Sequence, residues 1–160
     1  IKKLLSQTEA VFKAEYHERA EELGMTMDQV IALASMIEKE TANNLESYTI
    51  ASVIYNRLTN PGKYPYLNID ATLVYALGGR NELTAQDKTI DSPYNTYLNT
   101  GLTPGPISNP GLSSLEAALN PASTGYYYYV LNPSTGQHTF SKTLEEHEKL
   151  VEKYRQMRSN

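Results

Sequence analysis

The sequence predicts an α+β fold, a mostly helical single domain with a small antiparallel β element and a long Pro/Gly-rich loop. Three observations predict it. Apolar residues recur at helical spacing over residues 27–42 and 46–58. A tyrosine-rich run, Tyr126 to Leu131, leads through Asn132-Pro133-Ser134-Thr135-Gly136 to a return from His138 to Phe140, which reads as a hairpin. Between Ser92 and Gly111, four prolines (Pro93, Pro104, Pro106, Pro110) and Gly101, Gly105 and Gly111 interrupt any period. A chain of 160 residues suits one core able to fold alone.

The elements follow in order. Residues 3–23 read as a first helix rich in Glu, Ala and Lys, stopped by Gly24. Thr26 with Gln29 is a capping box that opens the second helix, 27–42. On its wheel Val30, Leu33, Ala34, Ile37 and Thr41 form one stripe, with Lys39 opposite in solvent. Ile50, Val53, Ile54 and Leu58 mark the third helix, ended by Asn60-Pro61-Gly62. Tyr64 to Ile69 reads as extended, and Asp70 stands where an N-cap would open a short helix through Leu77, stopped at Gly78-Gly79. One further turn falls at 84–88. A short helix, 113–119, ends at Asn120-Pro121, and Thr143 with Glu146 is a second capping box opening a charged helix to Arg158. There is no internal repeat and no domain boundary.

Composition narrows the function. A net charge of −4 offers no cationic surplus for neutralising phosphates, which argues against nucleic acid. With no cysteine, disulfides and thiolate chemistry are excluded. No apolar run is long enough to span a bilayer, and no signal-peptide pattern follows Ile1. The chain reads as a fragment whose anchor would lie upstream. Tyrosine dominates the aromatics, 13 against 2 Phe and no Trp. Its flat face and polar tip suit sugar rings, and equally suit half-buried strand positions.

His17, His138 and His147 share no ligand spacing, and His17-Glu18-Arg19-Ala20-Glu21 lacks the second histidine of a zinc-protease helix, so no metal and no cofactor is expected. No nucleophile elbow and no phosphate-cradling loop occurs. Carboxylates remain. In Ser35-Met36-Ile37-Glu38-Lys39-Glu40-Thr41, the wheel puts Glu38 and Glu40 on opposite flanks of the stripe and does not choose between them. A carboxyl beside apolar surface can keep its proton and act as a general acid. The plainer alternative pairs both with Lys39, Arg57 or Lys63. Asp70 is likewise an N-cap or a second catalytic carboxylate. The stiffened loop carrying Tyr94, Asn95, Thr96 and Tyr97 reads as a binding loop.

Longer stretches resemble a known family. Leu33-Ala34-Ser35-Met36-Ile37-Glu38-Lys39-Glu40 and Ile50-Ala51-Ser52-Val53-Ile54-Tyr55-Asn56-Arg57-Leu58 are similar to the endolytic murein transglycosylases (the MltG/YceG-like group). The likeness continues through Leu73-Val74-Tyr75-Ala76-Leu77-Gly78, Ser92-Pro93-Tyr94-Asn95-Thr96-Tyr97, Gly101-Leu102-Thr103-Pro104-Gly105-Pro106-Ile107 and Asn120-Pro121-Ala122. It ends with His138-Thr139-Phe140 and His147, covering residues 20–155 in order. One departure is Asn68-Ile69-Asp70-Ala71-Thr72, where the family commonly reads Gln-Thr/Ser-Asp-Pro-Thr.

The resemblance implies cleavage of the β-1,4 bond from N-acetylmuramic acid to N-acetylglucosamine within nascent peptidoglycan strands, leaving a 1,6-anhydro end. It places the catalysis at Glu38, with Glu40, Asn56, Asn68, Asp70, Thr72, Tyr94, Asn95, Thr96 and Tyr97 binding the glycan or supporting the site. A lone acid suffices if the sugar's own C6 hydroxyl attacks C1. The resemblance also implies an N-terminal membrane helix and a LysM-like module. Residues 1–24 are then a connecting helix after that module, and 25–160 the catalytic domain. The expected partners are glycan strands and the cell-wall synthesis machinery at the extracytoplasmic face of a bacterial membrane, reached only through a segment missing from this chain. Two alternatives stand, a conventional hydrolytic muramidase and a non-catalytic glycan-binding module.

Overall fold

The helix Met27–Glu40 (α2) is the axis of the molecule, because its sequence is apolar on nearly every side before its last turn. Val30, Ala32, Leu33, Ala34, Ser35, Met36 and Ile37 are all buried, a wider face than the wheel stripe implies. A helix buried all round must be surrounded by other elements. Around it pack Ala14–Glu22 (α1), Ser47–Leu58 (α3), Asp70–Ala76 (α4) and Leu112–Leu119 (α5). The structure is a computed structural model that describes residues 14–41, 43–80 and 82–159. Residues 3–13 of the expected first helix lie outside the described residues.

Both capping boxes form. Thr26 accepts from the Gln29 N–H while the Gln29 side chain accepts from the Thr26 N–H. Thr143 and Glu146 do the same at the start of Leu144–Ser159 (α6). The tyrosine run becomes Tyr128–Leu131 (β1), paired antiparallel with His138–Ser141 (β2), Tyr129 opposite Phe140. A single 3₁₀ turn, Gln86–Thr89, lies near the turn expected at 84–88. Among the described residues no helix is long and apolar enough to cross a membrane.

Two expectations change in detail. Asp70 does not cap α4: it is the first helical residue, and the N-cap is Ile69, without a side-chain bond. The 64–69 segment is irregular and not a strand. Asn68 there sits at φ +57, a left-handed conformation that asparagine tolerates better than most residues.

The long loop is held from beneath by polar residues. Asn95 is fully buried, its amide donating to the Lys88 and Ile90 carbonyls and its oxygen accepting the Tyr97 N–H. Thr96 accepts the Ile69 N–H and meets the Thr72 hydroxyl at 3.0 Å. Further along, Ser35 of α2 accepts the Ile107 N–H, and the Ser108 hydroxyl donates to the Ser35 carbonyl. The loop is thus fastened directly to the central helix.

Arg57 of α3 connects the remaining pieces. Its guanidinium donates to the carbonyls of Tyr127 at 2.7 Å, Tyr66 at 3.0 Å and Leu67 at 3.3 Å. It lies over the rings of Tyr64 and Tyr128. Burial lowers its proton affinity, and the tyrosines around it oppose that. Lysine has neither the fork nor the flat face for this position. Arg57→Lys is expected to cost about 2 kcal/mol or more in urea unfolding. An unchanged midpoint would mean that this clamp adds nothing.

Candidate active site

Glu38 and Glu40 lie on one turn of α2 and meet different environments. Glu38 turns toward α5. That helix begins after Gly111, an N-cap with no side chain. Glu38 Oε2 takes the role a capping side chain would have, accepting the Gly111 N–H at 3.1 Å and the Ser114 hydroxyl at 2.6 Å. A helix N-terminus favours a negative group at this place. Glu38 is otherwise exposed, and it does not line the trough that Glu40 borders.

Glu40 turns the other way. Tyr129 of β1 donates its hydroxyl to Oε2 at 2.8 Å, and the Ala71 N–H points at Oε1 from 3.4 Å. Burial holds the carboxyl above its ordinary value, the Tyr129 and Ala71 donors pull it back, and nearby Asp70 raises it further. The Tyr129 hydroxyl is pushed well up, first by burial and then by the Glu40 charge. Glu40 borders a trough of about 620 Å³ that also contains Asn68, Asp70, Lys88, Tyr97 and His138.

In this trough the Tyr97 hydroxyl donates to Asp70 Oδ1 at 2.5 Å, and burial followed by that bond raises its pKa strongly. Lys88 Nζ stands 4.5 Å above the Tyr97 ring. His138 is oriented by Glu46, which accepts the backbone N–H at 2.7 Å and meets Nδ1 at 2.9 Å. The ring of His138 contacts Tyr129 edge-on at 5.4 Å. His147 stacks on Tyr128 with its pKa lowered, chiefly by burial.

The expected site residues therefore divide. Glu40, Asn68, Asp70 and Tyr97 share the trough. Asn95 is corrected from a groove residue to a buried loop tie, because none of its surface is exposed. Thr72 and Thr96 support from below through their mutual contact. Asn56 supports from α3, donating to the Thr124 and Tyr126 carbonyls ahead of β1. Tyr94 packs on Tyr75, centroids 4.8 Å apart, outside the trough. Neither glutamate forms an ion pair with Lys39, Arg57 or Lys63. Sequence reasoning missed Tyr129, Lys88 and the Glu46–His138 pair as parts of the site. Only the density of tyrosines in one strand pointed toward the first.

The YceG-like family model matches residues 1–153. The chain belongs to this family. It is 44% identical over 155 residues to the endolytic murein transglycosylase of Bacillus subtilis, covering 96% of this chain and 42% of that protein. To the endolytic murein transglycosylase of Streptococcus pneumoniae it is 33% identical over 142 residues, 85% of this chain and 25% of that one. A crystal structure of a YceG-like protein from Listeria monocytogenes matches with a TM-score of 0.78 and 48% identity, over 86% of this chain and 44% of the other. The YceG-like chain described here thus spans less than half the length of the relatives it matches.

The raised proton affinity of Glu40 predicts a pH effect. A folded-state pKa raised above the ordinary 4.5 gives stability that is full below that value and lost as pH rises through the raised one. Glu40→Gln carries no such loss. Its melting temperature relative to the parent is therefore expected to climb as pH rises above 4.5. A constant difference across that range would contradict the raised pKa.

Proposed function

We propose that this chain carries the catalytic centre of an endolytic peptidoglycan lytic transglycosylase, with Glu40 as its acid and base. The observation that carries this reading is a half-buried glutamate, its proton affinity raised by desolvation, at the edge of a trough shared with Asn68, Asp70 and Tyr97. The curated relatives named as endolytic murein transglycosylases supply the reaction class. The resemblance puts the acid at Glu38, and the geometry favours Glu40. Glu38 is exposed and tied to the start of α5, outside the trough.

The reaction needs one proton to travel in a circle. Protonated Glu40 delivers its proton to the glycosidic oxygen as the bond from C1 of N-acetylmuramic acid breaks. The resulting carboxylate then takes the proton of the C6 hydroxyl as O6 closes on C1, giving the 1,6-anhydro end and restoring the acid. Tyr129 keeps the carboxyl oriented through both halves. Asp70, held by Tyr97, sets a negative group near the cationic sugar of the transition state. A hydrolase would instead direct water at C1, with a second carboxylate as base or nucleophile. Glycan strands under synthesis at the outer face of a bacterial membrane are the proposed substrate, with the synthesis machinery close by.

Glu40→Gln is expected to lower strand cleavage by about 10²–10⁴-fold with the domain still folded. Glu38→Gln should keep cleavage within about tenfold of the parent, with a lower melting temperature from the weakened cap. Mass spectrometry of the products should find ends lighter than reducing ends by one water. The opposite ranking of the two variants would return the acid to Glu38, and reducing ends alone would make the enzyme a hydrolase.

A further inference from the structure

Glu40 also borders a second cavity, of about 520 Å³, whose lining shares Glu40 alone with that of the trough. Ala71, Val74, Tyr75, Gly78, Gly79 and Ile107 form most of its wall. The two carboxyl oxygens divide between the two spaces. The Ala71 N–H that faces Oε1 belongs to the second cavity, and the Tyr129 hydroxyl on Oε2 belongs to the trough. Glu40 is therefore a saddle between two recesses.

The recesses differ in chemistry. The trough holds Asp70, Lys88 and His138, groups that suit a sugar bearing charged substituents. The second cavity is mainly apolar, with Lys39 as its one cation. Tyr75 is 45% exposed there, steadied by the Tyr94 ring behind it. Gly78 and Gly79 have positive φ, +73 and +92, and a Cβ built on either meets nothing within 4 Å. An exposed aromatic face above a floor without side chains is a platform for the flat apolar face of a neutral pyranose.

We propose that this cavity is the subsite for the leaving side of the strand, receiving the N-acetylglucosamine that departs from C1 of the muramic acid residue. The muramic acid residue, with its carboxylate-bearing substituent, lies in the trough. A strand bound in both recesses crosses Glu40 with sugars continuing on each side, so cleavage falls inside it. This rests on the function proposed above.

The test compares the parent, Tyr75→Ala, Tyr75→Phe and Glu40→Gln on purified glycan strands several disaccharides long. Tyr75→Ala is expected to lower kcat/KM about tenfold, mainly through KM, and Tyr75→Phe to restore it, since stacking needs the ring and not the hydroxyl. Folding is checked by melting temperature. Chitotriose added to Glu40→Gln should move the NMR signals of Gly78, Gly79 and the Tyr75 ring. Unchanged kcat/KM in Tyr75→Ala with cleavage lost in Glu40→Gln overturns the subsite alone, as does chitotriose perturbing only trough residues. Cleavage retained in Glu40→Gln overturns the underlying reading as well.

Discussion

A buried guanidinium, bonded to main-chain carbonyls and with no ion-pair partner among the described residues, joins the segments around the site. Arg57 meets carbonyls from the segment before β1 and from the irregular 64–69 stretch, with aromatic rings on its faces. Charge-assisted bonds from Nε and Nη1 to neutral carbonyls hold it without adding a buried anion beside Glu40. A carboxylate partner at this place would have added to the negative field that already includes Asp70. Such an anion would raise the proton affinity of Glu40 as Asp70 does; with carbonyls and rings in its place, burial is the first cause of the raised value.

The contrast between Glu38 and Glu40 comes from what each flank of α2 encounters. α5 starts on a glycine, so its first turn lacks its own side-chain acceptor, and Glu38 supplies one. On the other flank, β1 brings a phenol, a donor too weakly acidic to give up its proton, and covers the carboxyl with aromatic surface. Two residues of identical chemistry, separated by one lysine, become a cap and a half-buried carboxyl with raised proton affinity. Neighbours make that difference, and a helical wheel contains no neighbours.

For the same reason the sequence read some parts well and others poorly. Thr26, Gln29, Thr143 and Glu146 announce helix starts because capping is local. The hairpin was visible in its turn residues and its tyrosines. Asn95 was misjudged because an asparagine in a proline-rich loop looks the same whether it meets ligand or main chain. Its partners, Lys88 and Ile90, are held in place by tertiary packing. Ser35 was invisible as a loop anchor, since only the docked loop gives it the Ile107 N–H to accept. Glu46 and His138 are far apart in sequence, and their pairing depends on how the hairpin lies against the start of α3.

Two fastenings of the hairpin flank Tyr129, and Thr139 adds another through the Tyr154 hydroxyl of α6 at 2.7 Å. Near its entry Arg57 grips the Tyr127 carbonyl, and at its turn end Glu46 takes both the main-chain N–H and the ring nitrogen of His138. Mechanically this is a clamped beam, with Tyr129 in the span between the first two clamps. Bending of such a beam is smallest near its supports. The phenol that steadies the acid therefore inherits its positional tolerance from the distance between two clamps, neither of which touches the acid.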